Sequence, residues 1–449
     1  MREKEKMRHA LILCVGLTIG ADVLATEQRL TLEQCIAASL RESELLRSSE
    51  AAVDAAHHNT NNTFWSFFPT ASVSANYLKL FFEPEPEQIT MPAIPGIPDL
   101  SSAFKIPEWS RTIDITVSQP VTPLWSVWKG YNISTLTIEI ENLKRQSTAE
   151  QVKVKTAEYF YSYLMLDRIG TLLAETAKQL DRYYAQAQSF LDAGITDTRA
   201  VLKIKLEKAK LEKERQNVEN TKLLIKRSLA LLMNRPPESF DLGDEENEIT
   251  LLTTNLDTLL AMQEKYRPEM RILERTERIA EDLTDISLQS FIPTVAATGG
   301  YRHNFDSSSF SPEGTFFVGG ILSWSFGFDT MKHYTAFQKA KSEQIKTKLA
   351  NIDLRKQMHL QVAHLHSDLL LKEKEILIAQ AAMEVASENL RIEESKYREK
   401  ITTETDLLAA SLQDREAKTS YITAVFQYKT ALWRLAGTIG VPVEELFVR

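Results

Sequence analysis

Cysteine is almost missing. The 449 residues hold two, Cys14 and Cys35, at no metal or redox spacing, which excludes a disulfide scaffold and a zinc module. Glycine and proline are scarce at 15 each, which argues against a loop-rich fold. The apolar run Ala10–Gly20 is about half the ~20 residues a spanning helix needs, and the rest of the chain offers no longer candidate. Positive charge is not in excess: Lys+Arg is 53 against Asp+Glu 61, a net charge of −8. A chain so balanced lacks the general electrostatic footprint of a nucleic-acid binder. Catalytic signatures are missing too, with no G-x-S-x-G, no phosphate-binding glycine loop and no H-E-x-x-H. His359 and His366 share a helix face but sit about 10 Å apart, too far to chelate one ion alone. With His364 they read as solvated or packed helix histidines. No enzyme, cofactor or metal site is expected.

What is present begins with a targeting segment. Arg2, Lys4, Lys6 and Arg8 precede the apolar run, and Val23-Leu24-Ala25 supplies small residues before Thr26. Basic, apolar and small-residue segments in this order predict a secretory signal peptide over residues 1–25, with Met1 or Met7 as its start. Cleavage there leaves Cys35 alone and the mature chain acidic.

An internal repeat organises the remainder. Ser66-Phe67-Phe68-Pro69-Thr70 is restated by Ser290-Phe291-Ile292-Pro293-Thr294, 224 residues on. Gly194-Ile195-Thr196 matches Lys400-Ile401-Thr402, and Asn234-Arg235-Pro236 matches Gly440-Val441-Pro442, both 206 residues apart. The first copy carries the extra residues in the stretch 83–107, which holds six of the fifteen prolines and reads as an exposed loop. The expected organisation is a first repeat over 26–240 and a second over 241–449. Each repeat would run helix, two strands, two long helices.

Period-2 alternation predicts the strands. Ala71, Val73, Ala75 and Tyr77 alternate with Ser72, Ser74 and Asn76; Ile113, Ile115 and Val117 alternate with Thr112, Asp114, Thr116 and Ser118. The second pair is expected over 292–304 and 315–328. Long helices follow. The positions Leu166, Ile169, Leu173, Thr176, Leu180, Tyr183, Ala187 and Phe190 form a stripe at helical spacing. Ile204, Leu211, Val218, Ile225 and Leu232 recur every seven residues, a coiled-coil period. Their counterparts 206 residues on are Ala410, Ala417, Ala424, Ala431 and Thr438, beside a column of Leu407, Tyr421, Tyr428 and Leu435 interrupted by Asp414. A helix of ~45 residues is a rod of about 65–70 Å.

Four strands are too few to close a barrel, which takes about eight. Either several copies share one barrel in lipid, where no edge can stay unpaired, or the strands form a small soluble sheet under helices.

Taken together these residues resemble the TolC-type family of outer-membrane efflux proteins. LTLEQCIAASL, the paired FPT and IPT strands, SQP at Ser118–Pro120 and YYAQAQSFLDAGITDTRAVL carry the resemblance. RPEMRIL at Arg267–Leu273 and YREKITTETDLLAA add to it. It implies a mainly α fold with a membrane β-barrel portion. Four strands per protomer of a homotrimer would join in a shared twelve-stranded barrel, over long coiled-coil helices forming a periplasmic α-barrel. It further implies an outer-membrane location extending into the periplasm. The function would be a passive exit duct for efflux or type I secretion, served by a periplasmic adaptor protein and an inner-membrane pump of RND or ABC type, in contact with outer-membrane lipid.

The same resemblance puts the turns at Gly194, Thr196 and Asp197 and at Lys400 and Thr402 at the periplasmic entrance. Lys400 departs from the glycine usual in the family, and a left-handed lysine carries a conformational cost. Asp406 falls where the family places a gate aspartate, while Ala409 stands at the second such position. Asp406 is therefore expected either to join a charged ring at the pore or to cap the following helix. Asp197 reads as an N-cap. The rival readings are a periplasmic coiled-coil adaptor or scaffold, and a periplasmic enzyme without a recognisable motif.

Overall fold

The computed structural model describes residues 28–79, 81, 109–243, 250–306 and 312–447. The expected signal peptide, Cys14 and the proline-rich stretch 83–107 lie outside them. The elements are β1 (Gln28–Leu30), α1 (Leu32–Glu42), α2 (Glu44–Trp65), β2 (Thr70–Lys79), β3 (Trp109–Pro120), α3 (Leu124–Asp192) and α4 (Thr198–Leu232). There follow β4 (Phe240–Leu242), α5 (Leu256–Tyr266), α6 (Pro268–Leu288), β5 (Thr294–Asn304), β6 (Gly314–Ser323), α7 (Phe328–Arg398) and α8 (Glu404–Ile439). Two helices, two strands, a very long helix and a shorter one therefore occur in the same order in each half of the chain.

Local chemistry sets several boundaries. Thr31 and Gln34 form a capping box at the start of α1, Gln34 N donating to Thr31 Oγ1 at 3.4 Å and Thr31 N to Gln34 Oε1 at 3.1 Å. α6 starts at Pro268, which lacks an N–H that the first turn could not satisfy anyway, and Arg267 before it is extended. Four left-handed residues fall at repeat-related positions: Gly194 with Lys400 and Asn234 with Gly440, each pair 206 residues apart.

The chain divides into two compact units, each drawing on both halves of the sequence. The first comprises Met1–Arg47, Ser147–Arg267 and His359–Arg449. Its cores are helical. Ile169, Leu173, Leu180, Tyr183 and Ala187 of α3 pack with Ile204 and Leu211 of α4 and with Leu407 and Ala410 of α8. The stripe expected on α3 is thus its buried face, and each fully buried Leu contributes about 1.5–3 kcal/mol. On α8 the large column (Leu407, Tyr428, Leu435) and the small column (Ala410, Ala424, Ala431) are both buried, so large and small side chains interleave. Asp414 is buried in the same seam, accepting from Ser387 Oγ at 2.6 Å and Lys418 Nζ at 2.7 Å. β1 and β4 pair in parallel, Leu30 opposite Leu242. These strands were not expected, because three residues hold too little alternation to read.

The second unit comprises Ser48–Gln146 and Pro268–Met358. It holds an antiparallel sheet in the order β2-β3-β5-β6. The strand expected over 315–328 ends at Ser323. Gly327 takes φ +74°, Phe328 opens α7, and Trp324 and Phe326 belong to the connection. Likewise β5 begins at Thr294, since Ile292 closes a 3₁₀ turn and Pro293 has no N–H for a ladder. Lys129 of α3 reaches Asp282 and Asp285 of α6 at 2.7 and 2.8 Å, and Arg275 of α6 reaches Glu139 at 2.6 Å.

Candidate functional site

Two regions bear on function: the helix tips in the first unit and the sheet faces in the second. At the tips, α3 ends in a reversal in which Ile195 N donates to Phe190 O at 2.8 Å and Gly194 N to Leu191 O at 2.9 Å. α7 repeats it with Ile401 N to Lys396 O at 2.8 Å and Lys400 N to Tyr397 O at 3.1 Å. This bond pattern needs a left-handed residue at the turn, and Gly194 and Lys400 supply it at φ +71° and +64°. The lysine accepts the strain glycine avoids, and the two turns share one backbone shape.

The rest of each tip locks the two hairpins together. Lys400 Nζ stands 5.3 Å from the Phe190 ring centre, and Phe190 lies 5.7 Å from the Tyr397 ring. Such a cation–π contact offsets part of the left-handed cost. Lys203 Nζ of α4 donates to Glu404 Oε1 at 3.0 Å and Thr405 Oγ1 at 2.8 Å on α8. Deeper in, the Tyr183 hydroxyl and Gln179 Nε2 of α3 both donate to Glu394 Oε1 of α7, at 2.5 and 2.8 Å. Burial, reinforced by that carboxylate, raises the Tyr183 pKa, so the hydroxyl keeps its proton.

Asp197 caps α4: its carboxylate accepts from Arg199 N at 2.8 Å and Arg199 Nε at 2.6 Å, and the Arg199 side chain holds its pKa down. Asp406 is exposed and completes a capping box at the start of α8. It accepts from Thr403 Oγ1 at 2.7 Å, Thr402 Oγ1 at 3.2 Å and Thr403 N at 3.4 Å. The Thr403 hydroxyl is the main cause of its lowered pKa. Thr196 and Thr402 are half-buried beside the turns. Phe190 belongs to the stripe on α3, and Lys203 opens a Glu/Lys-rich stretch that reads as a solvated helix face; the contacts of both, and of Tyr397 and Glu394, depend on a neighbour some 200 residues away.

α7 also carries a second heptad. Val362, Leu369, Ile376, Leu390 and Tyr397 form its buried seam. Leu371, Ile378, Val385 and Ile392, also seven apart, are exposed, Ile378 and Val385 by 69% and 68%. The two series are offset by two residues, about 200° around the helix. Opposite faces of one helix are thus apolar.

In the sheet, register sorts the side chains. Val73, Ile115, Tyr301 and Phe316 stand in one cross-strand row, and Ala71, Val117, Gly299 and Val318 in the next on that face. On the other face Ser72, Thr116, Gly300 and Phe317 lie in one row and Asn76, Thr112 and Asn304 in another; polar residues predominate there, with Phe317 and Ile321 of β6 as apolar members. The apolar row is exposed, Val73 by 74% and Phe316 by 84%. Asp114, expected on the polar face, is there, and Arg302 is its cross-strand partner. Aromatic residues gather at both ends of the strands: Trp65, Phe68, Trp125, Trp324 and Phe326 at one, Tyr77 and Trp109 at the other.

Among the described residues no group of three or more His, Cys, Asp or Glu could hold a metal ion, and His359 instead pairs with Glu264 at 2.8 Å. Among them, too, no helix is long and apolar enough to cross a membrane.

Solved structures share this architecture. The outer-membrane channel OprN superimposes with a TM-score of 0.76 at 15% identity, covering 92% of this chain and 90% of that one. VceC, an outer membrane protein of Vibrio cholerae, gives 0.75 at 13% identity, over 92% and 96%. The CmeC outer membrane channel of Campylobacter jejuni gives 0.75 at 12% identity, over 91% and 85%. No protein-family profile and no curated protein matches the chain by sequence. The fold is that of TolC-type outer-membrane channels: mainly α, with a long helical bundle and a small sheet.

Proposed function

We propose that three copies of this chain form a passive outer-membrane exit duct. Their strands complete one twelve-stranded barrel, and their helices continue it as a tunnel in the periplasm. The observation that carries this reading is the sheet: four antiparallel strands in a continuous ladder, apolar residues predominating on one face and polar ones on the other, both edges open among the described residues. In lipid a polar face lines the lumen and an open edge is not tolerated. Aromatic residues at both strand ends suit the two membrane interfaces. The exposed heptad of α7 needs a partner, and a helix of a second copy supplies one of matching period.

Energy and substrate choice then belong to an inner-membrane pump, of RND or ABC type, delivering efflux substrates or secreted protein through a periplasmic adaptor. The turns at Gly194 and Lys400 stand at the entrance, and three Asp406 carboxylates there form a ring favouring cations. The test is fractionation followed by light scattering in detergent and recording in planar bilayers. Recovery from outer membranes with the mass of three copies, and discrete conducting steps, are expected. A monomer in the periplasmic supernatant with no conductance overturns the reading.

A further inference from the structure

Among the described strands, the polar face of the sheet bears one acid and one base. Asp114 of β3 and Arg302 of β5 are direct cross-strand partners, with Ser74 of β2 beside the acid and Thr315 of β6 beside the base. Arg302 Nε donates to Asp114 Oδ1 at 2.5 Å. Asn76 Nδ2 and Thr112 Oγ1 each donate to Asp114 Oδ2 at 3.4 Å. The two charges are not equally presented: the Asp114 side chain is 11% exposed and that of Arg302 is 59%. The carboxylate sits down among its donors while the guanidinium stands above it. Nε is the atom that bonds Asp114, and no hydrogen bond from either Nη group to another described residue accompanies it.

This floor is shaped locally. At Gly300, two residues before Arg302 on the same face, a Cβ would come within 2.2 Å of Ile115 O and 2.9 Å of the Phe317 ring. No side chain can rise there, and the ring of Phe317 closes over the gap, as aromatic neighbours do for strand glycines.

We propose that Arg302 is an anion-contact site inside the barrel. On the duct reading, on which this inference rests, three guanidinium groups form a ring, each with a sunken counter-charge and an outward fork of N–H donors for carboxylate, phosphate or halide. Twelve strands ~4.8 Å apart and tilted about 40° enclose a backbone cylinder of radius roughly 12 Å. An arginine reaching inward therefore brings its charge within about one Debye length of the axis at physiological salt. Asp114 acts through Arg302, holding it upright and offsetting its charge.

The experiment is the reversal potential under a KCl gradient in planar bilayers, with wild type, R302Q, R302K and D114N. R302Q is expected to raise the K⁺/Cl⁻ permeability ratio about two- to fivefold, the scale of one unit charge a few ångströms from an ion path in water. D114N, which leaves the guanidinium unopposed, is expected to lower the ratio, and R302K to stay near wild type. Both shifts should shrink from about 0.1 M to 1 M salt, as the Debye length falls from ~10 to ~3 Å. Conducting R302Q and D114N channels with unchanged ratios, or ratios moved in one direction, overturn the anion site and leave the duct standing. Should D114N fail to assemble, R302Q equal to R302K overturns it as well. A wild type that does not conduct overturns the duct and the anion site together.

Discussion

Asp406 shows how one carboxylate can carry a local and a collective role. Its hydrogen bonds from Thr402 and Thr403 order the first turn of α8, and the ionised form accepts them more strongly than a neutral one. Its pKa is lowered by them, so the capping contribution is fully present above the unfolded value of about 3.9 and is lost as pH falls through the lower folded value. In the single chain Asp406 is therefore ionised at physiological pH. Asp406→Asn keeps an acceptor for the cap and removes the charge; Asp406→Ala removes both. Each variant should raise single-channel conductance or weaken cation preference, and Asn should do so without loss of thermal stability. An Asn variant with wild-type conductance and ion preference would confine Asp406 to capping. Lys400 and Asp197 were legible in the sequence because turn and cap chemistry is local. Arg302 was not. Its partner Asp114 lies 188 residues away, and a cross-strand pair is set by a register between two halves of the chain that no local pattern encodes.

Among the elements, the long helices announced themselves by period, and the buried faces of α3 and α8 are the stripes the sequence shows. The second heptad of α7 is different in kind: it is exposed in the single chain, and on the duct reading a second copy covers it. The two seams of this helix make opposite predictions. Replacing Ile376, 5% exposed, by Lys puts an unpaired charge into the subunit core and should unfold it at a cost of several kcal/mol. Ile378→Lys with Val385→Lys touches only the outer face, where substitutions are usually worth under about 0.5 kcal/mol to the subunit itself. That double variant should keep its helicity and thermal transition as a subunit yet elute as a monomer. Measured by circular dichroism and light scattering, a double variant that still sedimented at the wild-type mass would show the outer seam to be solvated rather than shared.

At the scale of the molecule, the count and direction of strands decide how copies can join. The order β2-β3-β5-β6 is antiparallel throughout, so with an even number of strands the last edge of one copy meets the first edge of the next antiparallel as well. This head-to-tail contact uses two different surfaces, and such a contact closes into a ring when its rotation permits. Cysteine cross-linking reads that geometry directly. Cys35 is buried and its thiol pushed up to about 12 by that burial, so it stays unreactive in the folded chain; Cys14 and Cys35 can both be replaced by Ser for a clean background. One cysteine on β2, at Ala71, Val73 or Ala75, is combined with one on β6, at Val318 or Gly320. Oxidation in outer membranes should then produce dimers and trimers for the pairs in register, and no species larger than three copies. A chain with cysteine on β2 alone should give none of these products, because β2 never meets β2. Ladders running past the trimer would point to an open filament, and cross-links confined within single chains would mean that β2 and β6 of one copy meet each other, leaving no wall for neighbours to share.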